Sequence, residues 1–191
     1  MHPINKTIET SRGTINIREA TPADVVQFRE LRLNALLDSP TAFSADYDVN
    51  LNHPMSFWEG RVKPDEHGKL FFAEYEFQLI GMTGIRQGES PKTKHGGYIW
   101  GIYVRPKWRG LHIAEAFIEN CIAWAMSRQI NIVKLGVMTN NTPAIHCYER
   151  CGFTTYGTEP RGILYEGKYY DEYLMSRILD NPNQTGENHG H

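Results

Sequence analysis

The sequence predicts an α+β fold: a bent, mostly antiparallel sheet of six or seven strands with helices on both faces. Three observations carry this. Runs with alternating apolar side chains recur along the chain, as in Tyr98-Ile99-Trp100-Gly101-Ile102-Tyr103-Val104, and alternation is the period of a strand. Between such runs stand stretches with apolar residues at helical spacing, as at Ile113, Ala116, Phe117, Cys121, Ile122 and Ala125, which form one buried face of a helix. The chain has 191 residues and 40% hydrophobic content, the size and composition of one soluble core. One domain is expected over residues 1–179, followed by a polar, disordered tail at 180–191.

The elements follow in order. Residues 14–18 alternate and form a strand. Thr21-Pro22-Ala23-Asp24 then offers an N-cap, a first-turn proline and an acid at N3, and a helix over 25–37 ends at Asp38-Ser39-Pro40. A second helical region is expected over 41–48 or 55–62, interrupted by Asn50-Leu51-Asn52-His53-Pro54. Residues 70–75 and 78–87 are antiparallel strands about a tight turn. A polar loop leads to the strand at 98–104, which Pro106 stops, and a helix begins near Leu111. Residues 132–137 are a buried strand. Thr142-Pro143 opens a helix with proline where its missing N–H costs nothing. Gly152 is the left-handed residue that ends it, and Phe153 packs back. Strands near 162–165 and 169–178 flank the turn Glu166-Gly167-Lys168.

Two of these segments carry chemistry. The helix start after Val104 exposes unpaired N–H groups and the positive end of the helix dipole, a natural phosphate site. Lys107 and Arg109 add charge. An ordinary strand-turn-helix with a solvated basic turn fits the same residues. In the second segment, Asn141 and Tyr148 are seven residues apart, so two helical turns bring them to one face. Tyr148 also shares an apolar face with Ala144, Ile145 and Cys151, so pattern alone makes it a core aromatic.

Strand, V-x-P-x-x-R-G-x-x-I-A, helix, strand, N-x-x-A-I-x-x-Y-x-x-x-G-F resembles the GNAT superfamily of acetyl-CoA-dependent N-acetyltransferases. Residues 15–24 resemble the family's first strand and helix start, and 156–178 its closing hairpin. The resemblance implies that the central strand and the strand at 132–137 splay apart and that the co-substrate acetyl-CoA enters the gap. It implies that the segment Ile102, Tyr103 and Val104 binds the acetyl carbonyl and pantetheine through its backbone. Arg109, Gly110, Leu111, His112, Ile113, Ala114 and Glu115 would then cradle the pyrophosphate. Asn141 would contact the pantetheine, and Tyr148 would lie near the thioester sulfur as general acid. A tyrosine, with a reference pKa of about 10, stays protonated at neutral pH and can share its proton with a departing thiolate.

Two positions depart from the family pattern. The cradle usually has Gly where this chain has His112, which reads as an exposed histidine at a helix start. Relatives of the ribosomal-protein type carry a base Glu five residues before the Asn, where this chain has Gly136, so no base is named from sequence. For the acceptor pocket the resemblance points to Arg32, Phe43, Trp58, Tyr165, Tyr170, Asp171 and Glu172, although residues such as Phe43 and Trp58 are more often core, and Asp171-Glu172 fit equally a capped or solvated strand. Aromatic residues in the 38–58 region favour a shaped pocket, hence a small-molecule primary amine as acceptor. Protein N-termini or lysines are the alternative. A non-catalytic acyl-CoA-binding module is the reading from another class.

Composition bounds the remainder. A formal charge of −2 gives no electrostatic case for nucleic acid. No apolar run reaches spanning length, and Met1-His2-Pro3-Ile4-Asn5-Lys6 lacks a signal peptide's apolar core, so the expectation is a cytoplasmic protein off the membrane. A homodimer is left open. Three scattered cysteines make no disulfide framework, and the eight histidines form no metal-ligand pairing, so no metal is expected.

Overall fold

The computed structural model describes residues 5–179; the tail expected at 180–191 lies outside them. The elements run β1 (Lys6–Thr10), β2 (Gly13–Glu19), α1 (Val25–Asp38), α2 (Tyr47–Leu51), α3 (Met55–Val62), β3 (Gly68–Tyr75), β4 (Gln78–Gln87), β5 (Gly96–Val104), α4 (Ile113–Ser127), β6 (Ile132–Met138), α5 (Thr142–Arg150), β7 (Thr154–Tyr165) and β8 (Lys168–Ile178). They form an 8-stranded sheet in the order β1-β2-β3-β4-β5-β6-β8-β7. Every neighbouring pair is antiparallel except β5 with β6. The strand beyond the expected seven is β1, which pairs with β2 from Lys6↔Ile17 to Thr10↔Gly13. With Ile8 its only apolar residue, this edge strand lacks the alternation that marks a strand in sequence.

Thr21 and Asp24 cap the chain's entry to the first helix as expected: the Thr21 N–H donates to Asp24 Oδ2 at 2.7 Å. A 3-10 turn at Pro22–Asp24 precedes α1. Both segments proposed for the second helical region contain helix, since α2 begins within 41–48 and α3 covers 55–62. Among the described residues no helix is long and apolar enough to cross a membrane.

The sheet separates two apolar layers. On one face Ile99, Val133, Leu135 and Met175 pack with Phe117, Trp124, Cys147 and Tyr148 of α4 and α5. On the other, Phe72, Met82 and Tyr103 pack with Phe28 and Leu31 of α1 and with Trp58 and Val62 of α3. Adjacent Phe71 and Phe72 of β3 enter opposite layers, as strand alternation requires. Each such side chain contributes about 1.5–3 kcal/mol on burial.

A charge cluster locks the start of α1 to the sheet. Arg18 of β2 donates Nη2 to Asp24 Oδ1 at 2.7 Å and Nη1 to Oδ2 at 2.9 Å, and also binds Glu74 of β3. Burial alone would raise the Asp24 carboxyl, but the Arg18 bonds and the Thr21 donors outweigh it and hold the group below the ordinary range. With a lowered folded value, its contribution is present above the unfolded pKa of about 3.9 and fades as pH falls through the folded one. Asp24→Asn is expected to lose about 2–4 kcal/mol at pH 7. In denaturant unfolding, the gap between wild type and variant should narrow toward pH 2; a gap of equal size at both pH values contradicts the assignment.

Candidate active site

β5 and β6 pair through three registers, Gly96↔Ile132, Gly97↔Val133 and Tyr98↔Lys134. Beyond them the strands part, and β6 runs on along β8 as far as Met138↔Glu172. Residues 99–104 and 135–138 wall a cavity of about 780 Å³. It passes through the sheet. Ile113, Ala144, Cys147 and Tyr148 line it from the α4/α5 layer, and Arg32, Phe43, Arg61, Trp100 and Glu172 from the other side.

A β-bulge shapes the β5 wall. Met82 pairs with Tyr103 and Gly84 with Trp100, so Thr83 faces both Gly101 and Ile102. Gly101 takes φ +69, a backbone state that costs glycine little. The extra residue resets the alternation: Ile99 belongs to the α4/α5 layer, and after the bulge so do Ile102 and Val104. Such a kink re-aims backbone groups and terminates pairing.

At the far end of β5 the chain turns into α4. The first intrahelical bond runs from the Ala116 N–H to the His112 carbonyl at 3.1 Å, so the N–H groups of Ile113 and Ala114 stand open at the helix start, beside that of Glu115, which meets its own carboxylate. Arg109 braces this turn: its Nε donates to the Val104 carbonyl at 3.0 Å and its guanidinium pairs with Asp38 at the end of α1. The same side chain is half exposed and lines the cavity. The Glu115 carboxylate accepts from Arg150 at 2.7 Å and lies 3.2 Å from His112 Nδ1. Burial would raise it, yet the Arg150 bond, its own backbone N–H and His112 together hold it low.

The second segment behaves as its sequence implies. Asn141 caps α5, its Oδ1 accepting from the Ala144 N–H at 3.4 Å. Gly152 takes φ +82, and the Phe153 N–H returns to the Tyr148 carbonyl at 3.0 Å. Tyr148 is both a core aromatic and a cavity wall, 8% exposed. Burial, then Cys147, Cys151 and Tyr98, push its hydroxyl above the ordinary tyrosine range, which keeps it protonated.

Gly136 explains the missing glutamate. A Cβ built on it would lie 2.3 Å from Glu172 Oε1, so the carboxylate of Glu172, on β8, fills the space that a side chain at 136 would take. Burial raises this carboxyl, and Glu159 on β7 raises it further. The Tyr98 hydroxyl oxygen accepts from the Gly136 backbone N–H, while burial and then the charge of Glu172 push its pKa up, so Tyr98, Glu172 and Tyr148 converge where the strands part.

The open strand edges, the donors at the α4 start and the through-sheet gap fit an extended, phosphate-bearing thioester. Residues 33–153 match the acetyltransferase (GNAT) family. The chain belongs to this family. It is 29% identical over 135 residues to the L-amino acid N-acetyltransferase AaaT of Escherichia coli K12, covering 68% of this chain and 81% of that one. It is 40% identical over 106 residues to a streptothricin acetyltransferase of Escherichia coli, covering 51% of this chain and 58% of the relative. The fold also matches the yncA protein of Salmonella typhimurium, solved with its cofactor acetyl-CoA, at a TM-score of 0.72 and 19% identity, covering 93% and 97% of the two chains. The protein is thus an acyltransferase of the GNAT type.

In this acetyltransferase, ten of the expected cofactor residues line the cavity, namely Ile102, Tyr103, Val104, Arg109, Gly110, His112, Ile113, Ala114, Glu115 and Asn141. Leu111 instead packs against the α4/α5 layer. Of the acceptor candidates Arg32, Phe43 and Glu172 line the cavity. Trp58 does not: it is fully buried, edge-on to Phe28 at 5.7 Å, because its ring fills the layer between α1 and α3. Tyr165 sits at the exposed hairpin end beside Lys168, and Tyr170 pairs with Ile163 away from the gap. Asp171 caps the Arg161 N–H at 2.8 Å, a hairpin role. Sequence reasoning missed Tyr98, Trp100 and Arg61, although Tyr98 and Trp100 follow from strand alternation toward the face of Glu172. Among the described residues no cluster of His, Cys, Asp or Glu is placed to hold a metal.

His112 stands exposed at the helix start, as its sequence position implies; it is the N-cap of α4, held at φ +58 with its side chain 77% exposed. Left-handed backbone costs a non-glycine residue roughly 1–2 kcal/mol, which gives the family's glycine a conformational reason beside close approach. His112→Gly should raise thermal stability by an amount on the order of 1 kcal/mol, less the exposed Glu115 contact. A lower melting temperature for the variant would contradict this reading.

Proposed function

We propose that the protein transfers the acetyl group of acetyl-CoA directly to the primary amine of a small molecule, with Tyr148 as general acid and Glu172 as general base. The observation that carries the reading is the opening between β5 and β6, with Tyr148 on one face and Glu172 on the other. Acetyl-CoA supplies an acetyl group activated as a thioester. The backbone of residues 102–104 binds its carbonyl and pantetheine, and the open N–H groups at the start of α4 hold its pyrophosphate. Asn141 borders the pantetheine.

The acceptor arrives from the opposite face as an ammonium. Glu172 takes one proton from it, freeing the amine lone pair to form the N–C bond, and the attacking nitrogen gives its second proton to water as the C–S bond breaks. Tyr148 gives its proton to the sulfur and is reprotonated from water, so one proton is released per transfer. A carboxyl with a raised pKa is a better base at neutral pH than an ordinary one. Support for a small acceptor comes from the walled cavity and from the relatives, one named for L-amino acids and one for streptothricin.

Tyr148→Phe keeps the ring and its packing while deleting the hydroxyl. On the best acceptor, kcat should fall on the order of 10²-fold with KM for acetyl-CoA nearly unchanged. Full activity, with chemistry shown to limit the rate, would remove Tyr148 from the mechanism. Glu172 is tested by its pH dependence. Wild-type kcat/KM should rise with pH through a value above the usual carboxylate range, since only the ionised form accepts a proton. Glu172→Gln should lose that limb and about 10²-fold in rate; a retained limb assigns the base elsewhere.

A further inference from the structure

Arg32 is a buried guanidinium that the reaction described above leaves without a task. It projects from α1, is 8% exposed, and lines the acceptor side of the cavity. Its Nη1 is shielded from solvent and has no hydrogen-bond partner among the described residues. Among the described residues no carboxylate pairs with it. The charge that bears on it is that of Arg61, a second cation, and burial together with Arg61 lowers its pKa to about 10, so it remains charged at neutral pH. Asp38, the acid at the end of the same helix, is paired with Arg109.

Aromatic faces are what the site offers these two cations. The Arg32 guanidinium stands 4.7 Å over the Phe43 ring, and that of Arg61 stands 5.4 Å over Trp100. Such contacts hold a guanidinium in place but do not neutralise it. A buried charge without a counter-ion is costly, and it persists where function uses it.

We infer that the amine acceptor carries an oxyanionic group, a carboxylate in the simplest case, and that Arg32 receives it, with Arg61 at the rim. This rests on the acetyl-transfer reading. The location also limits the acceptor's size. A Cβ at Gly101 would lie 3.7 Å from Arg32 Nη1, so the guanidinium abuts the bulge that forms the acetyl-binding wall. Anion and amine must then be a few bonds apart, as in an α-amino acid. The same two cations repel diamines and polycationic amines. Glu172 faces the amine and Arg32 the carboxylate, so the site matches a zwitterion with a charge at each end.

The test is calorimetric titration of the protein saturated with CoA, which permits binding without transfer, using a panel of L-amino acids, their α-carboxamides and the decarboxylated amines. For the best amino acid, affinity should exceed that of its own amide on the order of 10²-fold. In Arg32→Gln the ratio should collapse to within a few fold, with CoA affinity unchanged, and Arg32→Lys should fall between. The wild-type comparison stands even if a variant fails to fold. Equal binding of acid and amide, no binding by any carboxylate, or an Arg32→Gln defect in CoA affinity alone would each overturn the inference. An acetylation assay on the same panel separates the two readings. Amides acetylated as fast as acids defeat the anion site and leave transfer standing, whereas Arg32-dependent binding of acids with no acetylation of any amine defeats transfer and leaves the anion site.

Discussion

The site depends on one constraint: β5 and β6 run parallel for three registers and then separate. Strand edges left unpaired inside a protein carry unmet N–H and C=O groups, which must be satisfied by another partner. Here the edges face a cavity and each strand is held from its other side, β5 by β4 and β6 by β8. A parallel pair also needs a crossover, which α4 supplies. Both α4 and α5 follow a strand of this pair, so both helices start at the mouth of the gap. The bulge at Gly101 completes the arrangement by turning the β5 wall.

The groups that give the gap its chemistry are those a folding protein would avoid burying. Among the described residues Arg32 has no counter-ion, Glu172 lies near Glu159, and the Tyr148 hydroxyl is in the core layer. The two apolar layers, with Phe28, Phe72 and Trp58 on one side and Phe117 and Phe153 on the other, offset that cost. His112 belongs with these, since its left-handed backbone is a local strain at a functional turn.

Features set by short-range chemistry were legible in the sequence. The Thr21–Asp24 cap, the proline-opened α5 and its Gly152 terminus depend on neighbours within a few residues, and the two motifs carried the family resemblance. What depended on distant contacts was not. Trp58 is core because α1 and α3 close over it, and nothing local distinguishes it from a pocket aromatic. Glu172 replaces a side chain at Gly136 across two strands, a relation visible only once the register of β6 and β8 is known. Arg61 becomes a cavity cation through its stacking on Trp100. The strand β1 was hidden because an edge strand with one inward side chain lacks alternation.

The central claim is that the parted β5–β6 edges and the α4 start hold acetyl-CoA. Amide hydrogen exchange with and without saturating acetyl-CoA tests it most directly. The account predicts new protection at residues 102–104 and 113–115, with little change in the β1–β2 edge. Protection confined to other segments, or none at saturating ligand, would contradict it.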